Sequence, residues 1–382
     1  MRKWNISSAA CVGTVFAWLC SVAVAGDAIP TVDISSESDR HSFVAQGTTE
    51  VYQGHPCTVL LPDGKTMFCA WSINHAGFLG PLSRSDDGGK TWSQPLAVPG
   101  NWRQVTKTTP TLHRLVDPEG VARLFVFGGC DFPGRLRQAY SEDNGKTWTP
   151  MRDTGLAAEC APKTVMAFDD GKRLVMWCDR RGPFAANQPH ADPYIWQAES
   201  LDGGLTWSPE QPILKTESRW GQPAVIRSPD GNQLLMLLRN EESHSLFSVS
   251  DDDGKTWAPV RPLPATLTGH RHKMLYAPDG RLVVVMRNKD AESQSHGHFV
   301  AWVGTYDDIL AGRDGQYQIK LLHSHARWDC GYSGFELLPD GTFVATTYIK
   351  YKPGPEKHSV VTTRFKITET DQKLEDAKKL VQ

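Results

Sequence analysis

The sequence predicts an all-β fold, a six-bladed β-propeller, on three observations. The pattern S-x-D-x-G-x-T-W recurs four times, at Ser85 to Trp92, Ser141 to Trp148, Ser200 to Trp207 and Ser250 to Trp257. Turn signals of the type P-D-G or D-x-G, with glycines at 64, 120, 171, 231, 280 and 341, separate apolar alternating runs. These turns return every roughly 50 to 60 residues, room for four short strands per unit, and such a repeat closes as a radial array of blades.

The first element is a processing signal. Arg2 and Lys3 precede an apolar stretch with Val12, Val15, Phe16, Trp18 and Leu19, and Ala23-Val24-Ala25 offers a small-residue cleavage site. Residues 1–25 are expected to be a cleavable signal peptide, so the mature chain is expected to be secreted or periplasmic. No membrane anchor is expected, since Asn5, Ser7 and Ser8 interrupt the segment and no later stretch is long enough to span a bilayer. Residues 26–382 read as a single propeller domain, because no Gly/Ser-rich or Pro-rich linker divides them.

Each unit then opens with a hairpin, about Pro62-Asp63-Gly64, Asp117 to Gly120, Asp169-Asp170-Gly171, Pro229-Asp230-Gly231, Pro278-Asp279-Gly280 and Pro339-Asp340-Gly341 in turn. The first four units add the Trp-bearing turn between their third and fourth strands; the last two lack it. In that turn the Asp accepts hydrogen bonds from nearby amides and the Gly supplies a positive φ. Thr and Trp resume the strand and bury an aromatic body. These aspartates therefore read as structural.

The formal net charge of −2 gives no electrostatic case for nucleic acid. Cys57 and Cys69 flank the first hairpin turn, and Cys160 and Cys178 the third. Each pair is compatible with a disulfide in an exported chain or with two buried thiols. No close Cys-x-x-Cys or Cys-x-x-His spacing exists, so neither metal nor cofactor is expected.

Both turn types fall on one face of the propeller, which leaves the opposite face, lined by the starts of first strands and the ends of second strands, for a ligand. His55, Gln222, His270, Arg271, His272 and Tyr332 belong to strand starts; Trp71, His75, Arg180, Arg239 and Arg287 belong to strand ends. The runs LVMWCDRR, LLMLLRN and LVVVMRN suggest equivalent places for Arg180, Arg239 and Arg287, and guanidinium groups aimed at one mouth suit an anionic group. His270 and His272 alternate along one strand, so they are expected to face the same way. His296 and His298 lie in a long connection on the same face.

The repeat resembles the Asp box of the sialidase (neuraminidase) superfamily, and the six units resemble its six-bladed propeller over essentially the whole mature chain. The resemblance implies an exo-acting glycoside hydrolase for terminal acidic sugars, with arginines on the sugar carboxylate, a Tyr nucleophile assisted by a Glu, and an Asp acid/base. In GYSGFELLPDG, Tyr332 is similar to the nucleophile; in HRHKMLYAPDGRLVVVMRN, Arg287 is similar to a triad arginine. The Glu is absent from that strand, no F-R-I-P segment precedes the first blade, and the loop SINHAGFLGPLSR has no Asp. His75 stands roughly where the acid/base is sought, and His272 or Glu336 would have to take the proton of Tyr332.

The expected function is thus removal of a terminal acidic sugar from a glycan. Tyr332, His272, His75 and Glu336 are its catalytic candidates, and Arg287, Arg239, Arg180, His55, His270 and Trp71 its substrate-binding candidates. Two other readings stand beside it. One is a histidine-dependent glycosidase or lyase on uronate-containing glycans. The other is a non-catalytic glycan-binding propeller that stacks sugars on Trp71, Trp220 and Tyr351.

Overall fold

The computed structural model describes residues 28–105, 109–129, 135–158, 160–180, 194–216 and 220–381. The expected signal segment 1–25 lies outside them. Six sheets follow one another along the chain, and apart from two N-terminal strands the strands of each hydrogen-bond in chain order. Blade 1 is Gln53–Leu60, Met67–Ile73 and Phe78–Ser85. Blade 2 is Thr111–Val116, Ala122–Gly128, Arg137–Ser141 and Arg152–Asp153; blade 3 is Val165–Phe168, Arg173–Arg180, Tyr194–Ser200 and Gln211–Lys215. Blade 4 is Trp220–Arg227, Leu234–Asn240, Leu246–Ser250 and Arg261–Pro262; blade 5 opens with Gly269–Tyr276, Leu282–Asn288, Phe299–Gly304 and Tyr317–Leu322. Blade 6 takes Ser333–Leu337, Phe343–Ile349 and Ser359–Phe365. Second strands lie inside their blades and are covered on both faces, which is why they read as unbroken apolar runs: Leu234 to Leu238 are all fully buried.

Blades 1 and 5 depart from the expected four strands, and blade 6 reaches four with a strand from elsewhere in the chain. In blade 1, Ser93 and Leu96 still donate N–H groups to the carbonyls of Arg84 and Leu82, but Pro95 and Pro99 have no N–H and the fourth strand does not form. Blade 5 gains a fifth strand, Thr31–Asp33, parallel to Tyr317–Leu322. Blade 6 is completed from the other end of the chain, by His41–Ala45 pairing antiparallel with Ser359–Phe365. A C-terminal helix, Ile367–Val381, was not foreseen from the sequence. It is tied to blade 5 where Arg281 grips both oxygens of Asp371, at 2.9 and 2.6 Å, and Tyr317 donates to the same carboxylate at 2.8 Å.

The four Trp-bearing turns share one hydrogen-bond pattern. In the second, Ser141 Oγ donates to Asp143 Oδ1 at 2.8 Å and accepts from Gly145 N–H at 2.8 Å. Asp143 also accepts from the amides of Lys146 and Thr147 and from the Thr147 hydroxyl, at 3.0, 2.9 and 2.6 Å. The turn then presses on the preceding blade. A Cβ on Gly145, whose φ is +82°, would lie 2.3 Å from the Phe68 ring of blade 1, and Trp148 packs edge-on against Phe68 and Trp102. Gly204 meets Leu115 and Phe125 of blade 2 in the same way, and Gly89 meets Val344 of blade 6.

All five described cysteines are buried free thiols. Cys57 stands opposite Ala70 and Cys69 opposite Thr58, so the first hairpin does not bring the two sulfurs into register.

Truncation of Trp148, which is 9% exposed, to Ala should cost about 3 kcal/mol by the lost burial and the cavity left between blades 1 and 2; urea unfolding monitored by circular dichroism measures it. The Asp143 and Asp252 carboxyls are held below the ordinary range, Asp252 at about 2, by hydrogen bonds from Thr147 and Thr256 respectively. A lowered folded value means that the stability is complete above the unfolded carboxyl value near 4 and is lost as pH falls through the folded value. Asp252→Asn should therefore be less stable than the parent at pH 7, with the gap closing between pH 4 and pH 2 in thermal melts.

Candidate functional site

The mouth is built by strained strand starts. Three non-glycine residues there hold positive φ: His55 at 42°, Gln222 at 59° and Arg271 at 65°. Each sits at a shift in register between first and second strands, at Gly54/Cys57, Gly221/Ala224 and His270/Lys273. Such bulges re-aim side chains, and non-glycine residues rarely accept this backbone unless surrounding structure imposes it. In blade 6 the corresponding turn is Gly331, φ +104°, where a Cβ would lie 2.6 Å from Cβ of Arg287.

These bends converge on Tyr332. Its ring stacks on the His55 imidazole at 4.1 Å, with 20° between the planes, and the Arg271 guanidinium lies 3.3 Å from its centroid. Arg271 is 3% exposed and also donates to Cys160 Sγ at 3.1 Å. The Tyr332 side chain is half-buried, and its hydroxyl makes no hydrogen bond among the described residues.

Beside Tyr332, blades 1 and 6 assemble a network about Asp329. It accepts from Tyr52 at 2.7 Å and from Tyr348 at 3.1 Å, and it pairs with His75 Nδ1 at 3.0 Å and His358 Nε2 at 3.3 Å. Burial opposes ionisation of Asp329, but hydrogen bonds from His75 and Tyr52 and the charge of His358 outweigh it and hold the carboxyl well below its usual range. Burial pushes the Tyr52 and Tyr348 phenols well above theirs, so both remain donors. The His75 ring is 57% exposed, and with Nδ1 on Asp329 its Nε2 is the edge offered for proton transfer.

Blades 4 and 5 supply a cationic group. Arg239 binds Glu241, which also lies 3.4 Å from His270 Nε2 and 3.7 Å from Lys289 Nζ. Arg287 reaches His270 Nδ1 and the carbonyl of Trp328. Burial, then Arg239 and Arg287, lower the His270 value far below the usual imidazole range, so the ring is neutral. Arg239 and Lys289 thus share one carboxylate, with Arg287 on the far side of the neutral His270 ring. Trp328, 49% exposed and packed edge-on against His296 at 4.3 Å, offers an open aromatic face beside them.

The remaining sequence candidates fall elsewhere. The strand pairings Leu174↔Ser200 and Leu234↔Ser250 put Asp179, not Arg180, level with Arg239 and Arg287. Arg180 instead donates to Tyr194 at 3.2 Å and sits 3.5 Å from Glu210, within its own blade. The bulge at Arg271 breaks the expected alternation, so His270 and His272 have different surroundings. His272 is 1% exposed with Nε2 at 3.2 Å from the Leu267 carbonyl, and burial, then Lys163, lower it to about 3. Glu336 stands four residues, roughly 13 Å of strand, beyond Tyr332, where it accepts from Thr58 at 2.8 Å and burial raises its value. Trp71 is 1% exposed with its indole N–H on Gln53, and Tyr351 packs on Phe43 and His41, so neither presents a face at the mouth. His298 packs beside His323 at 4.1 Å, away from Tyr332.

Sequence reasoning passed over Asp329, Tyr52, His358, Glu241 and Trp328. Asp329 comes shortly before the first strand of blade 6 and Glu241 directly after the second strand of blade 4, positions that line the mouth; Tyr52, His358 and Trp328 carried no such signal.

The sequence matches the BNR repeat-like domain over residues 195–333 and the BNR/Asp-box repeat over residues 139–150. No curated protein matches it. Among solved structures, a protein of unknown function from Dyadobacter fermentans is similar at 16% identity and TM-score 0.60, covering 85% of this chain and 99% of its own. The NanB sialidase from Streptococcus pneumoniae is similar at 13% identity and TM-score 0.57, covering 87% and 71%. The intramolecular trans-sialidase from Ruminococcus gnavus is similar at 14% identity and TM-score 0.54, covering 86% and 97%. At these identities the likeness is one of architecture, and in architecture and repeat alike the chain is a sialidase-like, Asp-box β-propeller.

Proposed function

We propose that this chain is an exported, exo-acting glycoside hydrolase that removes a terminal acidic sugar from a glycan. The observation that carries the reading is the clamped Tyr332. A phenol whose hydroxyl makes no hydrogen bond among the described residues is fixed between an imidazole and a guanidinium, beside a group in which Arg239 and Lys289 share the Glu241 carboxylate. Arg239, Arg287 and Lys289 favour a carboxylate on the bound sugar, and the planar guanidinium groups can each meet it at two points. Trp328 offers its ring to a sugar face. Tyr332 attacks the anomeric carbon or stabilises the charge that develops there. His75, oriented by ionised Asp329, transfers the proton to the leaving oxygen. The sialidases and trans-sialidase of like fold support the substrate class. The export signal read from residues 1–25 supports a location outside the cytoplasm. Among the described residues no helix is long and apolar enough to cross a membrane.

The histidine-centred lyase reading draws on the same His75–Asp329 pair, since a base beside bound uronate could remove a ring proton. Product analysis on sialylated, rhamnosyl-uronate and sulfated glycans separates the possibilities. A released saturated acidic sugar supports the hydrolase, an ultraviolet-absorbing unsaturated uronate supports the lyase, and binding without turnover supports a lectin.

On a cleaved substrate, Tyr332→Phe should lower kcat by at least about 100-fold while leaving the thermal melt unchanged. Near-parental turnover would remove Tyr332 from the reaction. Arg287→Lys keeps the charge and loses the planar contact, so KM should rise by about tenfold or more with a smaller change in kcat.

A further inference from the structure

Tyr332 also helps to line a small, partly open cavity of about 20 Å³ among the first strands. Its wall comes from five blades: Cys57 of blade 1, Thr109 and Thr111 of blade 2, Lys163 of blade 3, Arg271 and Lys273 of blade 5, and Tyr332 and Ser333 of blade 6. Thr109, Thr111 and Ser333 are 7%, 7% and 9% exposed, and the hydroxyl oxygen of each is buried without a hydrogen-bond partner among the described residues. Three orphaned hydroxyls on one void depart from the rule that buried polar atoms are satisfied, which points to an occupant.

The donor set identifies its chemistry. Lysine and arginine only donate, and each hydroxyl has a proton to direct inward. The Glu336 carboxylate, on the same strand as Ser333, already accepts from Thr58 at 2.8 Å. A void ringed by donors, with Arg271 and Lys273 charged and the Lys163 amine beside them, asks for an acceptor with negative charge. Its volume admits a single water-sized particle and excludes phosphate, sulfate or a carboxylate. A water molecule would have to aim its own two protons at hydroxyl oxygens in a wall already rich in cations.

We propose that this cavity is a halide site, holding one chloride ion between Lys163, Arg271 and Lys273 and the hydroxyls of Thr109, Thr111 and Ser333. The ion offsets cationic charge that Glu336 alone does not balance, and it anchors Arg271 from below while the guanidinium rests on the Tyr332 ring above. Burial and the neighbouring Arg271 lower the Lys163 ammonium well below its ordinary range, and an anion beside it restores the charged form.

Crystals of the mature protein grown in sodium bromide should show an anomalous bromide peak on the axis within reach of Thr111 and Ser333. Thermal melts should be higher by about 2 °C or more in sodium chloride than in sodium gluconate of equal ionic strength. Thr111→Val, which removes a hydroxyl at nearly constant volume, should lose both the peak and the chloride-dependent shift; Lys273→Met should do the same. If neither variant folds, the bromide data on the parent protein decide. A water without anomalous signal, or equal melts in chloride and gluconate, overturns the assignment. This outcome is independent of which glycan, if any, the mouth cleaves.

Discussion

The constraint on which the molecule depends is the contact between each Asp-box turn and the blade before it. The Ser hydroxyl and the Asp carboxylate satisfy the amides of a tight turn without help from a neighbouring strand. The turn can therefore stand at the rim, with its glycine flat against the adjacent second strand. Sheets bury their faces blade upon blade, and the turn sets how close those faces come: Gly145 leaves the Phe68 ring no room for even a methyl group. The indole that follows fills the wedge that opens outward between blades.

Rigid packing at the rim allows distortion at the mouth. Positive φ at His55, Gln222 and Arg271 costs on the order of 1 to 3 kcal/mol at each position and persists because the flanking strands are fixed. The distortion turns side chains that regular pleating would hide between blades toward the axis. Tyr332 owes its two-sided clamp to two of these bends, His55 on one face and Arg271 on the other.

The architecture was legible because its signals are local. An octapeptide turn and a hairpin turn each encode their own geometry, and their order along the chain encodes blade number. Strand counts at blades 1 and 5, and the origin of the outer strand of blade 6, were not legible, since they depend on two prolines in one blade and on segments from the far end of the chain in the others. The site was legible in part. Tyr332, Arg239, Arg287, His55, His75 and His270 do meet at the mouth, because position at a strand end suffices to place them. Arg180 and His272 do not, because a one-residue offset or a single bulge reverses the side a residue faces, and neither is visible in composition. The Asp329 network escaped notice because its members, Tyr52, His75, Asp329, Tyr348 and His358, are brought together only by the seam between blades 1 and 6.

That seam is also where the ring is sealed. Gly47 donates its N–H to Ser359 across 312 residues of chain, next to a strand pairing of similar span. Tyr52 and Asp329 are separated almost as widely. A growing polypeptide can assemble blades 2 to 4 from neighbours in sequence, but the Asp329 network is completed only when the last blade captures the N-terminal strand His41–Ala45 and the Tyr52 segment. Contacts of such long range form slowly. The chain thus remains without the Asp329 network until the last blade is made, and removal of the N-terminal strand would open the ring at that seam.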